Sequence, residues 1–314
     1  MRALVTGAAG FIGSHVAATL AASGAQVLAF DLRAPGELPP GVEFMQGDLL
    51  DRGAVARAVS GCDAVFHLAA LYSYARADAA AMERVNVEGT RIVLEEARGR
   101  RIVHTASCAT CGPVPGRAAS ESDAPARWEL RVPYKRTKIA GERLALEAAA
   151  SGADVVVVNP TTPVGPGDRG PTPTGRMVAD VVSGRARAYL ARSALNIVAV
   201  EDVARGHLLA HEHGRSGRRY LLGGENLTMR EVFAAICDAV GRPVPRIAVP
   251  WSAAYAAAWL ATHVKRDPGL LVLDEVRVAR WPMRFDDSLA RVELGYSSEP
   301  AAGALARAAR AALG

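Results

Sequence analysis

The segment Arg2-Ala3-Leu4-Val5-Thr6-Gly7-Ala8-Ala9-Gly10-Phe11-Ile12-Gly13 decides the fold. Its first five residues make an apolar run of strand length, and the residues after Gly13 follow a helical pattern. The glycines meet three separate needs. Gly7 allows a tight turn, Gly10 lets backbone approach a pyrophosphate, and Gly13 permits close helix-to-strand packing. The helix that follows, with Phe11 and Ile12 in its first turn, turns its N-terminus toward the anion. Strand, glycine turn and helix in this order predict a dinucleotide site.

The same alternation continues outward. Apolar runs at 26–30, 42–46, 64–68, 101–105 and 154–158 are separated by stretches of helical length at 11–23, 52–60, 82–98 and 133–149. Alternating strands and helices predict an α/β fold, a doubly wound parallel sheet with helices on both faces. After Asn159 the texture changes: prolines 160, 163, 166, 171 and 173 and glycines 165, 167, 170 and 175 predict a long loop that is neither helix nor strand. Such a loop in a compact domain is a candidate binding segment. Strand-like 196–200 and 219–222 alternate with helical 203–211 and 229–240. The expected division is a cofactor domain at 1–165, to which 195–225 returns, and a smaller C-terminal substrate domain made of 166–194 and 226–314.

Composition narrows the function. The 314 residues are 50% hydrophobic and 22% charged, which fits the soluble globular class, and the paucity of cysteines suits a reducing cytosol, so a cytoplasmic location is expected. The net charge of +5 comes from scattered arginines without interleaved aromatics, which argues against nucleic acid. Only three of the 37 basic residues are lysines: Lys135, Lys138 and Lys265. Four cysteines make no disulfide framework, and Cys108-x-x-Cys111, lacking a second pair, is read as small buried residues and not as a metal site. No secretory signal precedes the first strand. The stretch 251–264 is too short to span a bilayer and is read as a helix packed on the core or over a pocket, in preference to a membrane-surface role.

Two acids bear on the cofactor. Asp31 ends the second strand 18 residues after Gly13, near the spacing at which a carboxylate hydrogen-bonds ribose hydroxyls and repels a 2′-phosphate, which favours NAD. Arg33 would be the partner of an NADP phosphate if Asp31 turned away, and is otherwise solvated surface charge. Asp48 and Leu49 follow the third strand, where they line the adenine, or Asp48 caps the next helix.

Tyr134 and Lys138 are four apart at the start of a predicted helix and therefore share one face. A phenol titrates near 10, and a neighbouring ammonium draws it toward the range that acid-base chemistry needs. Lys135 carries no such argument and is read as solvated. Ser107 lies just past the fifth strand, and parallel strand ends gather at one edge, so Ser107 can meet Tyr134.

The Gly-x-x-Gly-x-x-Gly spacing after Thr6, the small segment His67-Leu68-Ala69-Ala70, and Ser107, Tyr134 and Lys138 in that order resemble the extended short-chain dehydrogenase/reductase (NAD-dependent epimerase/dehydratase) family, with its Rossmann fold. The resemblance also covers residues 86–90, and within the family residues 159–166, 171–176, 202–207 and 223–228 are similar to the hopanoid-associated sugar epimerases and dihydroflavonol 4-reductase-like proteins. The resemblance implies that Ser107 polarises the substrate oxygen, Tyr134 transfers the proton, and Lys138 tunes Tyr134 and binds the nicotinamide ribose. It also implies that Leu68, Ala69, Ala70 and Pro160 line the cofactor, that Tyr72, Cys108, Thr161, Thr162 and Arg176 face a small-molecule substrate, and that 82–98 and 133–149 pair two chains as a homodimer. Family dehydratases carry an Asp-Glu pair directly after the catalytic Ser/Thr. Here Cys108 and Ala109 stand there, so dehydration is not expected. Three activities stay open: oxidoreduction of a secondary alcohol or ketone, polycyclic or sterol-like; sugar epimerisation through transient oxidation; and noncatalytic dinucleotide sensing.

Overall fold

Val155-Val156-Val157-Val158 is fully buried, and β-branched residues hidden on both faces require a strand with neighbours on each side and helices above and below. A computed structural model, which describes residues 1–36, 38–168, 170, 172–265 and 272–313, shows that arrangement. The strands are β1 (Arg2–Thr6), β2 (Gln26–Asp31), β3 (Val42–Gln46), β4 (Ala64–His67), β5 (Arg101–Thr105), β6 (Val155–Pro160), β7 (Thr162–Val164), β8 (Ala188–Leu190), β9 (Ala194–Ala199), β10 (Arg219–Leu222), β11 (Glu225–Thr228) and β12 (Ile247–Val249). The helices are α1 (Phe11–Ala22), α2 (Arg52–Val59), α3 (Ala79–Glu83), α4 (Thr90–Glu96), α5 (Pro133–Ala150), α6 (Pro173–Ser183), α7 (Val200–His213), α8 (Met229–Ala239), α9 (Trp251–Leu260), α10 (Leu273–Val278), α11 (Ser288–Leu294) and α12 (Ala301–Ala311).

Seven parallel strands form the main sheet in the order β10-β6-β5-β4-β1-β2-β3. The strand order reverses between β1 and β4, and ligands of such sheets bind beyond the carboxyl ends at that point. Thr6 pairs with both Phe30 and His67 there. One face of the sheet is covered by α1 and α7 through Val16, Leu20, Val203 and Ala210. The other is covered by α2, α4 and α5 through Val55, Val59, Ile92, Val93 and Ala145.

Two expectations need correction. The proline-rich stretch is not loop throughout: Thr162–Val164 pairs with β9, and α6 starts at Pro173. Both prolines sit where a missing N–H costs little. Pro163 lies on a strand paired on one side only, and Pro173 occupies the first helical turn behind Thr172, whose hydroxyl accepts from Gly175 N at 3.1 Å. Pro171 lies outside the described residues. Residues 195–225 also divide: β10 joins the main sheet and α7 packs on α1, whereas β9 is the middle strand of a separate sheet, β11-β9-β7. Residues 82–98 run through the end of α3, a π-helical turn at Arg84–Gly89 and α4.

Candidate active site

At the cofactor end the backbone is packed too closely for a side chain at Gly7 or Gly13. Gly7 has φ +72°, and a Cβ on it would lie 2.6 Å from Ala69 N. A Cβ on Gly13 would lie 2.0 Å from Gly7 O, and one on Gly10 would lie 3.1 Å from the same atom. Gly10 is the N-cap of α1 and supplies no capping side chain, so the helix start is left open to an anion. Asp31 Oδ2 accepts from Ala9 N at 3.0 Å, which holds the carboxylate against the glycine turn, while Arg33 is exposed. This narrow turn, open helix start and anchored acid fit a dinucleotide. Leu68, Ala69 and Ala70 follow β4 beside the turn, and Pro160 ends β6. Leu49 is buried beneath Gly89, and Asp48 does not cap α2. Asp51 does, accepting from Ala54 N at 3.1 Å, while Asp48 accepts from Leu50 N.

Ser107, Tyr134 and Lys138 meet where β5 and α5 converge, each at most 9% exposed. Lys138 Nζ donates to Thr105 O at 2.8 Å. Burial draws the Lys138 ammonium down to about 8, opposed by the nearby Glu142 carboxylate. Burial pushes the Tyr134 phenol up to about 12, and a hydrogen bond from Ser107 works against the rise. In the free chain desolvation dominates the phenol, and the ammonium is held by the Thr105 carbonyl. Pro133 begins α5, so the two residues enter the helix in its first turns with a preset φ.

Three buried polar groups that pattern reading missed hold this set in place. Glu142, one turn beyond Lys138, accepts from Arg219 Nη1 at 2.8 Å and Asn159 Nδ2 at 2.5 Å, and Asn159 also donates to Ser107 O at 3.1 Å. Lys135 is not solvated: it is 1% exposed, ion-paired with the equally buried Glu129, and donates to Gly112 O at 3.0 Å. The strong preference of an ammonium for water is overcome here by a full-charge partner and a carbonyl.

The third support starts at His67. Thr90 Oγ1 donates to Asn86 O at 2.8 Å, so His67 Nε2 must donate to Thr90 Oγ1 at 3.0 Å. His67 Nδ1 then accepts from Thr6 Oγ1 at 2.8 Å, and Thr6 Oγ1 accepts from Ala69 N at 3.3 Å. Burial keeps this imidazole neutral, with its titration drawn down to about 3. Asn86 continues the chain by clasping both backbone groups of Leu71, at 2.7 and 3.0 Å, and by donating to Thr137 Oγ1 at 3.1 Å. The glycine turn is thereby joined to α5, the helix that carries Tyr134 and Lys138. His67 and Asn86 both lie in motifs visible in the sequence, but nothing in those motifs places them in contact.

On the substrate side, the Tyr72 ring lies on Tyr134 with centroids 4.3 Å apart, and Tyr74 meets Tyr134 edge-on at 5.7 Å. Arg76 ties this loop to α10 through the buried Asp274 at 3.0 Å, and Arg277 pairs with the same carboxylate at 2.6 Å. Arg176 pairs with Glu275 at 2.9 Å, and burial raises that carboxyl above its ordinary value. Cys108 is buried beside Ser107, and its thiol is pushed up to about 12 by desolvation. Thr161 and Thr162 are buried too, the Thr161 hydroxyl facing Leu222 O at 3.4 Å. The four cysteines are all buried and free. Among the described residues no group of three His, Cys, Asp or Glu is placed to hold a metal, and no helix is long and apolar enough to cross a membrane.

Comparison with known proteins agrees with this geometry. Residues 3–223 match the model of the NAD dependent epimerase/dehydratase family. A Synechocystis sp. protein named as a dihydroflavonol 4-reductase is 37% identical, over 97% of this chain and 92% of its own length. Sterol demethylase protein B of Methylococcus capsulatus is 35% identical, over 94% and 93%. The crystal structure of DesIV, a dTDP-glucose 4,6-dehydratase from Streptomyces venezuelae with NAD bound, superposes with a TM-score of 0.80 at 27% identity, over 99% and 96%. With its glycine turn, anchored Asp31 and nearly full-length relatives, the chain belongs to the NAD-dependent epimerase/dehydratase family of extended short-chain dehydrogenases/reductases and is an NAD-using enzyme of that family.

Proposed function

We propose that the chain transfers hydride between NAD and a secondary alcohol or ketone carried on a polycyclic, sterol-like skeleton. The observation that carries this reading is the buried Ser107, Tyr134 and Lys138 set placed under the Tyr72 and Tyr74 rings, with no carboxylate at 108 or 109 to drive elimination. In the reducing direction the Ser107 hydroxyl donates a hydrogen bond to the carbonyl oxygen. The Tyr134 hydroxyl gives that oxygen its proton, and Lys138 supplies the cationic environment that stabilises the phenolate left behind. Bound nicotinamide supplies the hydride and takes it back in the reverse direction. The aromatic wall favours flat apolar substrates over polyols, and a relative named for sterol demethylation points the same way.

Under the same reading Gly7, Gly10, Phe11, Ile12, Gly13, Asp31, Leu68, Ala69, Ala70 and Pro160 hold the cofactor, and Lys138 holds its nicotinamide ribose. Tyr72, Cys108, Thr161, Thr162 and Arg176 border the substrate. The seven-stranded sheet with its flanking helices forms the cofactor domain, the remainder recognises substrate, and two chains pair through 82–98 and 133–149.

A second reading, sugar epimerisation, draws on a cavity of about 510 Å³ lined by Arg117, Arg192, Arg230 and Arg284 together with Tyr189 and Met229. A diphosphate would find countercharge there. A panel of sterols, aryl ketones and nucleotide sugars separates the two. Net NADH change on the ring ketones supports the first reading, and stereochemical inversion of a sugar without net NADH change replaces it with the second.

A further inference from the structure

Four of the large apolar side chains most exposed on the described surface fall in one short segment: Ile247 at 61%, Trp259 at 44%, Leu260 at 49% and Val264 at 65%. That segment, 247–264, contains no Asp, Glu, Lys or Arg. Its helix α9 is apolar on both sides for different reasons. The inner side, Trp251, Ala254, Tyr255 and Ala258, packs on Leu190, Val249, Leu273 and Val276, and Trp251 Nε1 donates to Val276 O at 2.7 Å. The outer side presents Ala253, Ala256, Ala257 and Leu260 at helical spacing, with Trp259 and Val264 adjoining. No described element covers this outer side, and an apolar surface of this kind marks a binding face.

The rim says what the face meets. Arg246 directly precedes the exposed Ile247, and Arg280 lies 5.3 Å over the ring of Trp251, the first residue of α9, so Arg280 stands at the start of the helix; both arginines are exposed, and neither has a carboxylate partner among the described residues. The carboxylates of α10 are turned away from the face, Asp274 into its pairs with Arg76 and Arg277 and Glu275 into its pair with Arg176. Trp259 stacks on the exposed His263 at 4.9 Å, an amphipathic pair suited to a boundary between hydrocarbon and water. An apolar helix face with an aromatic edge and unpaired arginines complements a bilayer surface carrying negative headgroups.

We propose that the outer face of α9 docks the enzyme on anionic membrane, with Leu260, Trp259 and Val264 entering the headgroup boundary and Arg246 and Arg280 meeting phosphate. Docking does not depend on the reaction assigned above. Its consequence for that reaction is positional, because α9 packs on α10 and α10 is tied by Arg76 to the Tyr72–Tyr74 loop.

Co-sedimentation of the whole NAD-loaded chain with phosphatidylglycerol/phosphatidylcholine vesicles tests this. The native chain is expected to pellet with mixed vesicles and much less with pure phosphatidylcholine. Leu260→Glu/Val264→Glu should weaken binding at least about tenfold while NAD affinity and thermal midpoint stay native. Arg246→Ala/Arg280→Ala should lower affinity for the mixed vesicles only. Absence of binding to mixed vesicles overturns the proposal, as does equal binding by native chain and the Glu variant. A smaller oligomer in the Glu variant without any vesicle binding would reassign the face to contact between chains.

Discussion

The two ends of the active site are built by opposite means. At the cofactor end, within residues 6–13, specificity comes from what is missing: Gly7 and Gly13 leave no space for a Cβ, Gly10 leaves little, and the crowding neighbours are backbone atoms. At the proposed substrate end it would come from side chains brought together over long separations. Arg76 reaches Asp274 across 198 residues, and Arg176 reaches Glu275 across 99. A turn made by absence tolerates almost no change, whereas a wall made by side-chain pairs can be rebuilt piece by piece. This is the physical basis for one cofactor fold serving many substrates.

The sharpest test of the first half is Gly13→Val. Gly7 O stands 2.0 Å from the added Cβ and cannot move without dissolving the turn, so we expect no measurable NAD binding and a large loss of thermal stability. Retained NAD affinity in a titration would show the turn to be more pliable than its geometry. Tyr134→Phe comes next and should leave the fold intact. Turnover should fall by about 10²–10⁴-fold while NAD affinity changes little, because only the oxygen proposed to transfer the proton is lost. A variant with native turnover would remove Tyr134 from the reaction.

Lys135→Met probes a joint between the halves, the tie from α5 to Gly112 just beyond Ser107. Glu129 would be left buried without its partner, and stability should fall by about 3–5 kcal/mol in urea unfolding. Glu129→Leu/Lys135→Met should recover most of that loss while turnover stays depressed through the freed Ser107 loop. This pair also shows where sequence reading stops. The glycine turn, the parallel sheet, the place of Asp31 at the end of β2 and the meeting of Ser107 with Tyr134 were legible because each depends on spacing within one strand-turn-helix unit or on strand ends sharing an edge. Lys135 was misread as solvated because its partner, Glu129, lies in a separate short turn, and nothing in a residue's own neighbourhood reports its burial. The His67 chain was hidden for the same reason, since Thr6, Thr90 and Asn86 meet only through the folded sheet.

Acid should strike the buried histidines. Burial holds His67 neutral down to about 3 and His207 down to about 4, against an ordinary value near 6.5. With folded values depressed, the unfolded chain binds protons first. Stability is therefore full above about pH 6.5 and declines as pH falls toward 3–4. The sign is the same for Lys138 at higher pH, where stability should rise between about 8 and 10.5 as the buried ammonium sheds its proton. Urea midpoints that stay flat from pH 6.5 to 4 would contradict the placement of these imidazoles.

The smallest effect on stability belongs to Arg76→Ala, and it separates the two ends most cleanly. Arg76 is 61% exposed along its side chain, and Asp274 keeps Arg277 at 2.6 Å as a second partner, so the fold should lose about 1 kcal/mol or less. What the substitution removes is the link that fixes the Tyr72–Tyr74 loop against α10. Asn86 still clasps Leu71, so the loop's base stays anchored while its aromatic tip gains freedom. Substrate would then have to order the tip on binding. KM should rise by about three- to tenfold, with kcat and NAD affinity near native. A matching loss in kcat would instead mean that Arg76 acts on Tyr134 itself, through the ring that Tyr72 lays on it, and the independence of the two ends would have to be given up.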